Sequence, residues 1–272
     1  ADKLDPELGI NFYTVDTWKG TLDEELHQDV VKKLNGDMFA TFVKNSGSNL
    51  YERIQPIKDT SVNAARMFRN NDIDFCMVDG GHSYQDVKDD LNAWYHKIRS
   101  GAWICGDDYG MCEFPGVTQA VDEFFYGQVT QQGWNWMRRK PRIEVIHMVT
   151  QPTPRQLVSM NSLKQLRYYG IDYRIIINDV YDGFAPVEHC RRPEHVNTTD
   201  NQPGYIGDGL GWLTGRHYGC YLAHKRALLE MEDRYDYTII CEEDAFIFTG
   251  LEEFVNAIHK ACFISERDDV YF

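Results

Sequence analysis

Two stretches of this sequence set acids where they can do chemistry. In "DFCMVDGGHSYQDVKDDL" an apolar run, Phe75 to Val78, gives way to Asp79, two glycines and His82 before a helical pattern begins. The next apolar run, in "SGAWICGDDYG", ends in Asp107 and Asp108. If both runs are neighbouring strands of one parallel sheet, three carboxylates converge beyond their carboxyl ends, where open α/β sheets bind ligands. Like charges that close raise one another's pKa unless a cation stands between them. Hard oxygen donors favour Mg²⁺, Ca²⁺ or Mn²⁺. The other use of such acids is structural, as helix N-caps and turn residues. His82 is a general base by type and place, or a helix-start histidine that only hydrogen-bonds its loop.

The second stretch is "YDYTIICEEDAFIF", an apolar strand running into Glu242, Glu243 and Asp244. On an extended backbone, residues i and i+2 point the same way. Glu242 and Asp244 are therefore expected to face one cation able to bridge nucleotide phosphates and offset charge on a diphosphate leaving group. Acidic strand ends also occur with no ligand at all.

Alternating elements must position these residues. "INFYTVDTW" reads as a strand ending at Asp16, and a helix is expected from Asp23 to Lys44, then a turn at "NSGSN". "RIQPIKDTSVNAARMF" predicts a short strand, a polar turn at Asp59–Ser61 and a helix. A strand follows at "IDFCMVD", then a helix at "SYQDVKDDLNAWYHKI" with Val87, Leu91 and Trp94 on one face. "SGAWICGDDY" is a strand, "GVTQAVDEFF" a helix and "WNWMRR" a last edge strand. This order predicts a mainly parallel, doubly wound sheet over residues 1–140. Past "RRKPR" the pattern restarts: strand "IEVIHMVT", a helix ending at Gly170, strand "IDYRIIIND", a polar stretch over 181–216, helix "YGCYLAHKRALLEME", strand "YDYTIICEED" and helix "LEEFVNAIHKA". A second α/β domain is expected over 141–272.

The 272 residues suffice for two modest domains, and 43% hydrophobic with 26% charged residues is a globular composition. A formal net charge of −14 argues against nucleic acid and acidic membrane as partners, since phosphate binding draws on Lys and Arg. No apolar run approaches the ~20 residues of a membrane span. Seven cysteines without CxxC spacing, with Cys76, Cys105 and Cys241 inside apolar runs, read as reduced thiols of a cytoplasmic protein.

Taken in order, "YTVDTW", "IKDTS", "FCMVDGGHSYQDVKDDL", "GAWICGDDY" and "PGVTQAVDEFF" resemble the successive motifs of class I S-adenosylmethionine-dependent methyltransferases. The subgroup is the small O-methyltransferase-like family with an "IDG-HSY…GDDY" signature. The resemblance implies a Rossmann-like sheet with S-adenosylmethionine as cofactor. It implies Asp16 on the cofactor ribose, and Asp59, Thr60 and Ser61 near the adenine. It also implies Asp79, Asp107 and Asp108 around a divalent metal, Mg or Mn, that activates an acceptor hydroxyl, with His82 and Asp79 in catalytic roles. The glycine-rich turn of that family should precede "YTVDTW", where only "ADKLDPELG" stands. A fragment is therefore expected, its sheet incomplete for want of the central strand between those ending at Asp16 and Asp79.

"IHMVTQPTPRQLVSMNSLKQLRYYGIDYRIIINDVYDG", "LTGRHYGCYLAHKRALLEM" and "DYTIICEEDA" resemble glycosyltransferase family 25, the lipopolysaccharide-biosynthesis and collagen-galactosyltransferase group. The resemblance implies an incomplete GT-A-like nucleotide-sugar-binding α/β domain. It implies Glu242 and Asp244 at metal and diphosphate, Asp244 as catalytic, and His224 near the donor. Arg155 is a nucleotide contact or a solvated helix-start arginine. Trp212, Tyr218 and Tyr221 either stack on sugar or base, or pack in the core. His217 stands where the family carries glutamate, and Ala223 where serine is common. The combined expectation is a fragment of a bifunctional glycan-modifying transferase, using a nucleotide-sugar donor and a glycan or small hydroxyl acceptor. The alternatives are an enzyme with only the glycosyltransferase module active, or a non-catalytic nucleotide- or glycan-binding protein.

Overall fold

The computed structural model describes residues 9–20, 25–34, 37–47, 53–149, 153–177, 204–205, 212–213 and 215–268. Two compact units emerge, Ala1–Lys140 with Phe263–Phe272, and Pro141–Cys262. None of the described helices is long and apolar enough to cross a membrane.

In the first unit β1 (Phe12–Asp16) pairs in parallel with β2 (Ile54–Lys58), setting Asp16 opposite Lys58. The single helix expected between them is two, α1 (Glu25–Lys33) and α2 (Met38–Ser46). Asp37 starts the second by accepting from Ala40 N, a capping use that interrupts the first run. A short helix, α3 (Ser61–Ala65), follows β2, capped by Thr60. Then come β3 (Ile73–Val78), α4 (Tyr84–Trp94), β4 (Ile98–Gly106), α5 (Pro115–Phe125), β5 (Thr130–Gln132) and β6 (Asn135–Arg139).

Strands β3 and β4 run parallel, with Val78 opposite Gly106. The sheet order is β3-β4-β6-β5, so "WNWMRR" is not an edge strand. It is β6, antiparallel to both neighbours, because β5 folds back on it through a turn at Gly133. Among the described residues β1 bonds only to β2 and β3 only to β4. Both pairs nonetheless pack on one cluster of Ala64, Ala65 and Trp94, which Val15, Ile57, Ile73 and Cys76 meet. The main core lies under α4 and α5, where Val87, Leu91, Val117 and Val121 meet Val78, Ile104, Trp136 and Phe263. The expected face of α4, Val87, Leu91 and Trp94, is the buried one. A doubly wound sheet would be covered on both faces; here the other face of β3 and β4 carries Phe75, Met77 and Trp103, all exposed.

The second unit has a parallel sheet of order β11-β7-β8, from β7 (Ile143–Val149), β8 (Asp172–Ile177) and β11 (Tyr237–Cys241). Three helices accompany it: α6 (Pro154–Lys164), α7 (Gly215–Leu229) and, as far as Cys262, α8 (Leu251–Asp268). Two short strands, β9 (Gly204–Tyr205) and β10 (Trp212–Leu213), pair with each other. The central strand β7 is buried at every position, as expected for the middle of a parallel sheet. Its Glu144 is tolerated because Arg174 and Thr238 bond both carboxylate oxygens. Residues 1–8, and most of the polar 181–216 stretch, lie outside the described residues.

Candidate functional site

The loop after β3 brings three donor groups together. Asp79 follows the strand directly, and Ser83 caps α4 by accepting from Asp86 N at 3.2 Å. Between them Gly81 passes so close to Asp86 that a Cβ there would lie 2.7 Å from Oδ2. Gly116, in the first turn of α5, abuts the same loop: a Cβ would meet Tyr84 N at 2.5 Å and His82 O at 3.0 Å. These contacts fix His82 between the Phe114 ring, 4.1 Å away between centroids, and Asp108, whose Oδ2 stands 3.0 Å from Nε2.

Asp79, His82 and Asp108 offer ligand atoms that all lie within 4.8 Å of one another. The expected trio is thus altered by one member. Past the end of β4, Asp108 adopts φ +62° while Asp107 Oδ1 accepts its N–H at 2.9 Å. That turn spends Asp107 on the backbone and aims Asp108 at His82. Asp107 still lines the small pocket shared by Asp79, His82, Asp108 and Trp136.

At the ends of β1 and β2 the other expected residues are engaged locally. Asp16 Oδ1 accepts from Trp18 N at 2.8 Å, and Asp59 Oδ1 accepts from Thr60 N at 2.7 Å and Asn63 Nδ2 at 3.2 Å. Thr60 caps α3 through Asn63 N. Ser61 Oγ accepts the Trp94 indole N–H at 2.8 Å and donates to Asp90, whose pKa burial raises. Sequence reasoning missed Asp90, an acid on the apolar side of α4; its place three residues after Val87 and one before Leu91 is the available signal.

In the second unit the acidic stretch is not extended. The chain turns immediately after Cys241, and Ala245 N donates to Glu242 O at 3.1 Å. The i, i+2 rule for strands therefore does not hold, and the acids face different partners. Glu242 Oε1 lies 3.7 Å from Cys220 Sγ and 3.8 Å from His224 Nε2. Glu243 accepts from Gln156 Nε2 at 2.7 Å, and Asp244 pairs with Arg155 at 3.4 Å in solvent. Gln156 also completes the capping box with Thr153 that starts α6. Burial and the Glu242 carboxylate raise the Cys220 thiol pKa. Ala223 is buried against Ile146, Met148 and Ile176, where a serine hydroxyl would need a partner.

Cys220, exposed on α7, was not among the expected residues, although its spacing from His224 is legible as a helical pair. A further network is buried: His147 meets Tyr173 OH at 2.8 Å and Ser159 Oγ at 3.2 Å, and Ser159 donates to Ala245 O. Burial lowers the His147 pKa, and the lack of access makes this network structural. The side chains of His217, Tyr218, Tyr221 and Trp212 lie outside the described residues.

Solved structures similar to this chain include the following three. The O-methyltransferase NovP is 18% identical with a TM-score of 0.37, over 48% of this chain and 60% of that one. A protein from Corynebacterium glutamicum is 14% identical with a TM-score of 0.32, over 48% and 60%. A possible exported protein from Bordetella parapertussis is 10% identical with a TM-score of 0.27, over 49% and 54%. Among curated proteins, uncharacterized protein R132 of Acanthamoeba polyphaga mimivirus is 37% identical over 73 residues, 26% of this chain and 29% of that protein. The chain thus spans less than a third of that relative's length. Over residues 3–109 the chain matches the family model described as a methyltransferase domain, and Asp16, Asp59, Asp79, His82, Asp107 and Asp108 all fall inside that span.

Proposed function

We propose that the first unit transfers a methyl group from S-adenosylmethionine to a hydroxyl of its acceptor. The observation that carries this reading is the convergence of Asp79, His82 and Asp108 at strand ends inside the methyltransferase-domain match. The acceptor oxygen attacks the methyl carbon, the carbon–sulfur bond breaks, and S-adenosylhomocysteine leaves. The hydroxyl proton goes to His82, and Asp108 at 3.0 Å steadies the resulting imidazolium. Asp16 and Asp59, at the ends of paired strands, are the residues this reading assigns to the cofactor ribose and adenine.

Two carboxylates and an imidazole also fit a divalent cation of the Mg or Mn class. When bound, such a cation supplies Lewis acidity toward the acceptor oxygen. Titration of S-adenosylhomocysteine into the whole chain, followed by transfer of labelled methyl to catechol as probe acceptor, tests the reading. Binding weakened by Asp16→Ala, and transfer lost in His82→Ala, are expected. No cofactor binding in the presence of Mg²⁺ would overturn it, and loss of transfer on chelation, restored by Mg²⁺, separates metal-assisted from metal-free chemistry.

A second reading, glycosyl transfer by the second unit, is favoured by Glu242, Asp244 and Arg155 standing exposed beyond the carboxyl end of β11. Manganese-dependent hydrolysis of a uridine diphosphate sugar, lost in Asp244→Ala, is its expected outcome. No nucleotide binding removes it.

A further inference from the structure

The geometry points to a transition-metal site of the zinc class in the second unit, formed by Cys220, His224 and Glu242. It stands apart from methyl transfer and needs neither activity proposed above. The three ligand atoms lie within 4.8 Å of one another. Cys220 and His224 are four residues apart on α7, one turn along the same face. Glu242 follows the end of β11, so the site rests on two regular elements.

His224 is already oriented as a ligand. Its Nδ1 lies 2.9 Å from Cys220 O, a carbonyl that can only accept, so Nδ1 carries the proton. Nε2 then keeps its lone pair and lies 3.8 Å from Glu242 Oε1. Fixing one ring nitrogen on a carbonyl while the other binds metal is the usual outer-shell arrangement. Cys220 Sγ lies 3.7 Å from the same Oε1. With zinc bonds of ~2.3 Å to sulfur and ~2.0 Å to nitrogen or oxygen, tetrahedral ligand pairs stand about 3.3–3.5 Å apart. The two pairs that share Glu242 Oε1, at 3.7 and 3.8 Å, therefore close on a cation with shifts of a few tenths of an ångström.

The donor set decides the kind of cation. A thiolate and an imidazole select zinc-like ions over magnesium or calcium, and thiolate plus carboxylate balance a divalent charge. The cation would be softer than the one expected from paired acids because Asp244, the hard partner, is turned to Arg155. His224 and Glu242 are 40% and 61% exposed, so a fourth position opens to water or an outside ligand. Three protein ligands with an open position is the pattern of reactive rather than purely structural zinc.

Cobalt(II) is the probe, added to the reduced whole chain. One equivalent should produce a near-ultraviolet thiolate-to-cobalt band and the intense visible bands of four-coordinate cobalt, both displaced by zinc. Cys220→Ser should abolish the thiolate band. His224→Ala and Glu242→Gln should weaken binding by about tenfold or more, with circular dichroism unchanged because all three side chains are accessible. Cys112→Ser, Cys190→Ser and His82→Ala should leave the band intact. The Asp79, His82 and Asp108 group contains no sulfur and cannot produce it. A missing thiolate band at saturating cobalt, or one that survives Cys220→Ser, overturns the site.

Discussion

His82 Nε2 stands 3.0 Å from Asp108 Oδ2, with both side chains more than four-fifths shielded from solvent. A pair so placed is within hydrogen-bond reach and shielded enough for the carboxylate charge to matter. Asp108→Asn keeps the shape and removes the charge. Methyl transfer is expected to fall on the order of 10²-fold while affinity for S-adenosylhomocysteine changes less than twofold. Single-turnover kinetics beside calorimetric titration checks both.

Gly116 tests how the site is built. An added methyl would press on the Tyr84 backbone nitrogen at 2.5 Å, which cannot swing aside as a long side chain does. Gly116→Ala should lower unfolding free energy by about 1–3 kcal/mol, read from urea midpoints. It should also reduce transfer under conditions where the variant remains folded, because the loop that yields carries His82.

Ser61 separates a cofactor role from a structural one. Its hydroxyl satisfies both the Trp94 indole and the buried Asp90 carboxyl. Ser61→Ala leaves both without it and should cost about 1–3 kcal/mol in denaturant titration, with cofactor affinity nearly unchanged. Unchanged stability with lost affinity would return Ser61 to the adenine site.

Lys140 gives a pH signature. Its ammonium is buried against Ile98 O and the Tyr95 ring, and burial pushes its pKa from 10.5 down to about 7. Between those values the unfolded chain holds a proton that the folded chain has lost. Stability should therefore rise with pH across that window, by at most ~1.4 kcal/mol per pH unit from this group. In Lys140→Met that contribution disappears, so the difference between the two stability–pH curves isolates it.

The legible parts of this molecule are those that local pattern decides. Acids after apolar runs mark Asp79 and Asp108 because strand ends are punctuated by polar residues and glycine. Val87, Leu91 and Trp94 show their face by helical period. The choice between Asp107 and Asp108 is not legible, since it turns on one left-handed backbone angle. Glu242 and Asp244 mislead because the strand reads as running through "EED", whereas a turn closed by Ala245 begins right after Cys241. Lys140 sits in "RRKPR", read only as the place where the pattern restarts, and its burial is decided by Tyr95 and Ile98 far back in the chain. "TQQ" is too short and polar to announce β5, so β6 passes for an edge.

The bare side of β3 and β4, with Phe75, Met77 and Trp103, has a colloidal consequence. Mutual repulsion from a net charge of −14 holds copies apart at low ionic strength. Added salt shortens the reach of that repulsion, from about 30 Å at 0.01 M to about 8 Å at physiological strength, and leaves the oily flank untouched. Light scattering should therefore show this chain growing stickier as sodium chloride rises, the opposite of a protein whose copies adhere through ion pairs.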